Sequence, residues 1–379
     1  MSSHKIIFDF YDYAPLLAIS QSEMQAIEQL PEKDKDKIIP IFPLKGWSSA
    51  KTLAKTMERI KKSIGERNFV ADIDMSFILE KEKESKLKGE PPRDVVLELK
   101  KLVDPSDGYK NWIDFVTEHS NIIPVIQLFD TNHISLQVSK LAALERGLCL
   151  KFNMLYMGDA EVISLSNQVS TLYNGPILFI FDFGDIKRSF LDDIPQVSQL
   201  IKKCIQGFSY AKIALCSTSF PDSFSGVYHG EASIYERQAF RRLYRYFQDG
   251  QLIYSDHGSA RANKASGGAR VPPPRIDYPL KDEWKYIRVD FDDLNNSKSE
   301  KYVVYKKIAN EVISSAYWNK NFLVWGTQQI ELTSLGSEYG IYDQRKAAAV
   351  RINIHLYVQL HYNSPVAIEE IDSDDDWVD

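Results

Sequence analysis

The sequence lacks the features that membrane, secreted and disulfide-bonded proteins need. Its 379 residues contain no run of about 18 apolar residues, the length of a membrane-spanning helix, and the N-terminus has no apolar signal-peptide core. Only three cysteines are present, and Cys149, Cys204 and Cys216 are dispersed among apolar residues. We therefore expect a cytoplasmic protein without membrane attachment, in which the thiols are buried and reduced.

A surplus of basic residues is also absent, since 46 Lys and Arg stand against 52 Asp and Glu, for a net charge of -6. General nucleic-acid binders usually carry a basic surplus, so nucleic acid is not the expected partner. The glycines Gly258, Gly267 and Gly268 match neither a phosphate-binding loop nor a dinucleotide fingerprint. No cofactor is predicted on these grounds.

What the chain does contain is a series of short apolar runs separated by segments with helical periodicity. Most runs are rich in Ile, Val, Leu and Phe with little alternation, which is typical of parallel strands covered on both faces. Their number and order predict an α/β protein with a (β/α)8 TIM-barrel-like single domain, and an open doubly wound sheet is the alternative. The runs are 15–20, 38–44, 69–74, 122–128, 148–153, 176–181, 211–216 and 252–255.

The remaining segments complete the predicted organisation. The barrel-like domain covers 1–362, and its C-terminal additions are strand-like runs at 285–291 and 322–326, a helical segment at 301–316 and a long pattern at 343–362. The last pattern is most easily a closing helix, and a strand through 351–360 is the alternative. The charged segment 81–93 is interpreted as a surface insertion, and the glycine-rich segment 258–274 as a mobile loop. Residues 363–379 form an acidic tail, whose composition predicts disorder.

The most informative stretch is Tyr254-Ser255-Asp256-His257-Gly258, followed across the glycine-rich loop by Arg275 and Tyr278. Charged and aromatic side chains here follow an apolar run, which indicates a recognition or reaction site at strand ends. In a barrel, the carboxyl ends of the strands form one rim, where barrel enzymes keep their sites. Polar residues also occur wherever strands end at water, but their recurrence at most strands predicts a pocket. The candidates are Lys45, Asp72, Asp74, Gln127, Asp182, Ser217, Tyr254, Asp256, His257, Arg275 and Tyr278.

Asp72 and Asp74 are two residues apart, so their carboxylates share one face of a regular strand. Such a pair could hold a divalent cation or divide acid and base roles. An ion-pair network with Lys45 and Arg275 is the favoured interpretation, and no metal site is assigned.

His257 is a candidate proton carrier, because imidazole titrates near neutral pH. It does not form a dyad with Asp256, since adjacent residues of a strand point to opposite faces. A nucleophilic role for Ser217 is disfavoured, because the chain has no Gly-x-Ser-x-Gly elbow.

Near its end the tail has three acids followed by an aromatic residue, Asp374, Asp375, Asp376 and Trp377. This composition resembles acidic tips that dock into basic pockets of protein partners. The alternative is a disordered, solubilising end. Both interpretations stay open from the sequence alone.

Several short motifs are spread over nearly the whole chain. They are Tyr13-Ala14-Pro15-Leu16-Leu17, the run 37–44, Ala71-Asp72-Ile73-Asp74, Ile123-Pro124-Val125-Ile126, Ser217-Thr218-Ser219-Phe220-Pro221, Tyr254-Ser255-Asp256, Pro274-Arg275 and the helical segment 350–360. Together they resemble the beta protein family of bacteriophages, satellite phages and their bacterial relatives. The resemblance implies an association with mobile elements and with gene neighbourhoods of growth inhibition, immunity and phage defence. It implies no reaction or cofactor.

Two functions are therefore expected. The favoured one is a phage or mobile-element accessory protein that contacts a protein partner, such as a toxin or defence component. It would act in immunity, anti-phage defence or neutralisation of a growth inhibitor. The alternative is a TIM-barrel hydrolase that uses acidic residues at the rim, with or without a divalent cation. The lack of a recognised catalytic motif places the enzyme second.

Overall fold

The computed structural model describes residues 7–224, 227–262, 273–289 and 298–364. The strands are β1 (Ile41–Leu44), β2 (Phe69–Ile73), β3 (Ile122–Pro124), β4 (Leu148–Asn153), β5 (Ile177–Asp185), β6 (Ala211–Thr218), β7 (His229–Ser233), β8 (Leu252–Tyr254), β9 (Arg275–Pro279) and β10 (Glu283–Arg288). The helices are α1 (Gln21–Glu28), α2 (Glu32–Lys35), α3 (Leu53–Ile64), α4 (Met75–Lys88), α5 (Asp94–Leu102), α6 (Ser106–Glu118), α7 (Ile134–Ala142), α8 (Asp159–Ser170), α9 (Phe190–Cys204), α10 (Tyr235–Leu243), α11 (Lys298–Ile313), α12 (Trp325–Ser334) and α13 (Gln344–Leu360).

The chain divides into two compact units. Unit 1 comprises Met1–Asp222 and Ile234–Ala265, and unit 2 comprises Ser223–Ser233 and Ser266–Asp379. Strands and helices alternate along the chain in unit 1, whereas unit 2 combines a small sheet with three helices. Each unit has its own apolar core.

Every described strand pair in unit 1 is parallel. One sheet has the order β1-β2-β3 and another the order β4-β5-β6-β8. Isolated parallel bridges add further pairs: Tyr13 with Ile38 and Tyr254, Leu16 with Ile41, and Val125 with Cys149. The predicted α/β class with parallel strands is confirmed.

The strands of unit 1 are apolar on both faces, as expected for parallel strands whose connecting helices cover the sheet. All of the first six residues of β5, from Ile177 to Asp182, are buried. One core cluster takes alternate residues from successive strands, as expected for side chains that share one face. Its members include Ile41, Val70, Ile123, Cys149, Leu178, Ile180, Ala214, Cys216 and Ile253.

Unit 2 is built on an antiparallel sheet with the order β7-β10-β9. Helices α11 and α13 pack on β9, and α12 packs between these helices. The closing helix predicted in 343–362 is confirmed as α13, which begins where the Asp343 carboxylate accepts a bond from Lys346 N at 2.8 Å. This is a regular N-cap, which satisfies a backbone donor of the first turn.

Two predicted strands differ from the structure. The run 15–20 contributes only an isolated bridge at Leu16, and Tyr13 just before the run makes two more, because Pro15 between them has no N–H to donate to a ladder. The run 322–326 is not a strand, since α12 begins at Trp325. There the Thr327 side chain accepts a bond from Val324 N at 3.1 Å and starts the helix.

The three remaining predicted segments are a charged insertion, a glycine-rich loop and an acidic tail, and the last two lie partly outside the described residues. Residues 81–88 of the segment interpreted as an insertion belong to α4, which ends at Gly89 with a left-handed φ of 67°. Residues 263–272 of the predicted loop and residues 365–379 of the acidic tail lie outside the described residues. None of the described helices combines the length and apolar character needed to cross a membrane.

A buried carboxylate between two guanidinium groups links β9 to α13 in unit 2. Asp277 accepts bonds from Arg275 Nε at 2.6 Å and Nη2 at 3.0 Å, and from Arg351 Nη1 at 2.9 Å. Burial would raise the pKa of Asp277, but the two arginines outweigh it and lower the pKa. Arg275, predicted at a rim pocket, therefore has a defined partner within unit 2.

We expect Asp277→Asn to destabilise the protein by about 3 kcal/mol, because it leaves Arg351 as a buried charge without its carboxylate. The wild-type contribution is present above the unfolded pKa of Asp and is lost as the pH falls through the lower folded pKa. Chemical denaturation near pH 7 measures the change. Glu231→Gln, which removes an exposed partner of Lys285, is the control and should leave the midpoint unchanged. An Asp277→Asn midpoint equal to that of the wild type would contradict the prediction.

Candidate functional site

Polar residues at the carboxyl ends of the parallel strands lie on the same face as the core cluster of unit 1. The core cluster of unit 1 takes Leu178 and Ile180 from β5, so Asp182 lies next on the same face. Its neighbours in the parallel register are Asn153 of β4 and Cys216 of β6. The strand order thus collects polar side chains immediately after the apolar layers.

Asp182 and His257, both predicted site residues, form the central contact. His257 Nε2 lies 2.9 Å from Asp182 Oδ1, which also accepts a bond from Gly184 N at 3.0 Å. Burial would raise the pKa of Asp182, but His257 and Lys151 outweigh it and lower the pKa to about 2. Burial likewise opposes charge on His257, yet Cys216 and Asp182 raise its pKa well above the ordinary value. The two side chains form an ion pair near neutral pH.

Lys151 extends this pair toward β2. Its Nζ lies 3.0 Å from Asp72 Oδ2. Burial alone would lower the pKa of Lys151, but Asp72 and Asp182 raise it, so the cation lies between two carboxylates. The sequence reasoning missed Lys151, although a single charged residue within the apolar strand Leu148–Asn153 was a usable signal.

Cys216 completes a group that we call the inner cluster, consisting of Asp72, Lys151, Asp182, Cys216 and His257. The Cys216 thiol is free and fully buried, and burial raises its pKa. The donor atoms of Asp182, Cys216 and His257 all lie within 4.8 Å of one another. The four charged members keep 9–17% side-chain exposure, so water still reaches them.

A second group, the outer cluster, lies on the opposite side of the turn after β8 and consists of Tyr13, Glu236, Arg237, Tyr254 and Asp256. Asp256 is fully buried and accepts bonds from Tyr13 Oη at 2.5 Å and Gly258 N at 2.7 Å. The Arg237 guanidinium lies 3.4 Å from the centre of the Tyr254 ring. As expected for adjacent residues, Asp256 and His257 have different partners, and Asp256 holds the turn that carries His257.

Glu236 of the outer cluster is a buried acid in the first turn of α10. Burial and the nearby Asp256 raise its pKa to about 8. Its Oε2 bonds to Ser219 Oγ, which in turn accepts a bond from Tyr235 N at 2.9 Å. Near neutral pH Glu236 is therefore mainly a neutral acid, which reduces the charge buried beside Asp256.

The predicted acid pair of β2 has two separate partners. Asp72 bonds to Lys151, whereas Asp74 caps α4 through Phe77 N at 2.9 Å and lies 3.9 Å from Lys45 Nζ. Both acids are thus used in ion pairs.

The remaining candidates lie elsewhere or make backbone contacts. The backbone of Gln127 exchanges two hydrogen bonds with the Gln137 side chain, at 2.6 and 3.1 Å. Ser217 is fully buried. Tyr278 packs against Tyr317 and Trp318 in the core of unit 2. The four tail residues, Asp374, Asp375, Asp376 and Trp377, lie outside the described part of the chain.

Exposed apolar side chains follow two adjacent strands of unit 1. Phe129 is 83% exposed after β3, and Tyr156 is 81% exposed after β4. Leu155, which is half exposed, packs over Gly184, where a Cβ atom would lie only 2.8 Å from its Cδ1. The loops that follow these two strands thus carry exposed apolar side chains close in sequence to the polar strand ends.

Comparison with known proteins agrees with the motif resemblance. Residues 13–361 match the family model described as Beta protein. The chain is 24% identical over 366 residues to Protein beta of Enterobacteria phage P4, a match that covers 94% of this chain and 95% of that protein. No solved structure matches the chain.

Glu236→Gln should remove part of the pH dependence of stability. The folded-state pKa of Glu236 is about 8, above its unfolded value, so the folded state binds the proton more tightly. Protonated Glu236 therefore stabilises the fold at low pH, and this contribution is lost as the pH rises through 8. Between the two pKa values the loss approaches about 1.4 kcal/mol per pH unit. Thermal unfolding at about pH 5, 7 and 9 should show the unfolding temperature of the variant rising relative to that of the wild type as the pH increases. The exposed Glu161→Gln is the control, and parallel curves for all three proteins would contradict the raised pKa.

Proposed function

The chain belongs to the Beta protein family, and on this premise we propose that it is a phage-associated hydrolase with its reaction site in the inner cluster. The observation that carries the proposal is the burial of two ion pairs, Lys151–Asp72 and Asp182–His257, at the carboxyl ends of parallel strands. Apolar residues of similar volume would stabilise this region at least as well. Perturbed ionisable groups that water still reaches are typical of active sites.

The strand pairing supports a closed (β/α)8 barrel as the scaffold. Starting at segment 13–16, each parallel partner leads to the next: β1, β2 and β3, then β4 through the Val125–Cys149 bridge, then β5, β6 and β8. The Tyr13–Tyr254 bridge returns from β8 to the first segment. In such a barrel, the inner cluster occupies the end where barrel enzymes carry their sites.

The chemistry of the inner cluster suits the hydrolysis of a carboxyl or phosphoric ester. Lys151 is a fixed cation that can stabilise negative charge developing on the substrate oxygen. The adjacent Asp182–His257 pair can bind and orient the attacking water. Phe129 and Tyr156 offer exposed aromatic surface to an apolar part of the substrate.

Lys151→Met tests the hydrolase. The wild type should turn over at least one of three 4-nitrophenyl substrates, namely 4-nitrophenyl acetate, 4-nitrophenyl phosphate or bis(4-nitrophenyl) phosphate. The variant should lose about 100-fold or more in kcat/KM, because charge stabilisation in the transition state is lost. Circular dichroism verifies its fold. Lys110→Met, which removes an exposed lysine paired with Asp114, should keep full turnover. Absence of wild-type turnover, or full turnover by Lys151→Met, contradicts the proposal.

A second candidate function is contact with a protein partner, such as a toxin or defence component, in immunity, anti-phage defence or neutralisation of a growth inhibitor. The tail composition of Asp374, Asp375, Asp376 and Trp377 supports it, together with the phage origin of the P4 relative. A basic pocket on the partner would accept the carboxylates, and an apolar recess would accept the indole ring.

Removing residues 365–379 should abolish recovery of the partner in a pull-down from the native host. Trp377→Ala should weaken recovery at all salt concentrations, whereas a triple Asp→Asn change at 374–376 should remove its salt dependence. Lys151→Met serves as the matched control, because a contact made by the tail does not require the inner cluster. Identical sets of recovered proteins from the full and shortened chains would exclude this contact.

A further inference from the structure

We propose that Asp182, Cys216 and His257 bind a zinc ion, with a fourth position left for water. The three residues come from β5, from β6 and from the segment after β8, which pairs with β6. Their donor atoms lie within 4.8 Å of one another. Ligands of a tetrahedral zinc ion lie about 2.0–2.3 Å from the metal, so small rearrangements bring all three atoms into range.

The donor set favours zinc over other common ions. A thiolate, an imidazole and a carboxylate together suit a borderline-soft cation, whereas magnesium and calcium prefer oxygen ligands alone. Cys216 is directly opposite Asp182 in the parallel register, so the strand pairing itself places sulfur beside oxygen. Three protein ligands with an open position are characteristic of catalytic zinc sites, whereas structural sites have four protein ligands.

Surrounding contacts orient these ligands. Asp182 Oδ1 accepts a bond from Gly184 N at 3.0 Å, which holds the carboxylate at the end of β5. The bonds from Tyr13 Oη and Gly258 N to Asp256 hold the turn that carries His257. Such supporting contacts fix ligand orientation in metal sites. Binding of the ion would displace the protons of the His257 ring and the Cys216 thiol to solvent, because zinc takes a neutral imidazole and a thiolate. Bonds from Asp182 and His257 to the metal would then replace the hydrogen bond between them.

The zinc site deepens the proposed hydrolase and rests on it for its role, because a bound ion activates water for attack on an ester. Lys151 is not a ligand of this site and keeps its ion pair with Asp72, so its charge can still stabilise a substrate oxygen. Metal binding itself is a separate property and is measured without any substrate.

The test uses the untagged full chain, stripped with a chelator and then dialysed against zinc or cobalt(II). About one ion per chain should be retained, and the cobalt form should show a sulfur-to-cobalt charge-transfer band. Cys216→Ser should abolish that band and weaken zinc binding by about 100-fold or more, since a ligand contributes at least as much as its supporting contacts. Cys204→Ser is the matched control, because Cys204 is also free and buried, and it should bind like the wild type.

Circular dichroism verifies the folding of each variant, and Asp182→Asn and His257→Ala provide independent ligand removals. Wild-type dialysis that retains no metal, or a cobalt spectrum without a sulfur band, overturns the site. Wild-type affinity in Cys216→Ser and His257→Ala overturns it as well. Zinc binding without turnover of the three 4-nitrophenyl substrates would refute the hydrolase and leave the metal site standing. Full turnover by a metal-free chain would leave the hydrolase standing and overturn the role of the ion in the reaction.

Discussion

The ion pair between Asp182 and His257 is the interaction on which the inner cluster depends. It joins β5 to the turn after β8, and each charge is stabilised mainly by its neighbours because the two side chains keep only 9% and 11% exposure. Loss of either partner would leave a largely buried charge without compensation, which costs about 3–5 kcal/mol. Lys151 and Asp72 add a second pair, so charges of both signs alternate across the strand ends.

Unit 2 contains a buried ionic group of a different kind. Asp277 keeps 5% side-chain exposure, and both of its oxygens accept bonds from guanidinium groups. That arrangement saturates the carboxylate and suits a structural role. The carboxylates of the inner cluster keep more side-chain exposure, 17% for Asp72 and 11% for Asp182, and their neighbours include a lysine, a histidine and a thiol. This contrast is the reason to assign chemistry to the inner cluster and stability to Asp277.

Much of the fold could be predicted from local sequence. Apolar runs without alternation identified the parallel strands of unit 1, and the helical pattern of 343–362 identified α13 in unit 2. Placing polar residues at strand ends also singled out Asp182 and His257. The element that failed most clearly was 322–326, because a short apolar run is compatible with a strand or with the start of a buried helix, as at α12.

The site was predicted less completely. Lys151 was missed because residues at the carboxyl ends of the predicted strands were favoured, whereas it lies within β4. Cys216 was interpreted as an inert core thiol, which describes its burial but omits its neighbours Asp182 and His257. Arg275 and Tyr278 were predicted at the pocket from their position after the loop, yet their described contacts include Asp277 and Tyr317 of unit 2.

By itself the sequence determined the family, the α/β class and the positions where polar groups interrupt apolar runs, because these depend on residue type and short-range periodicity. Only the tertiary structure decided which polar groups meet. His257 and Asp182 are separated by 75 residues, Lys151 and Asp72 by 79, and Tyr13 and Asp256 by 243. Strand order and register bring such distant residues together, and a shift of one residue would turn each side chain to the opposite face.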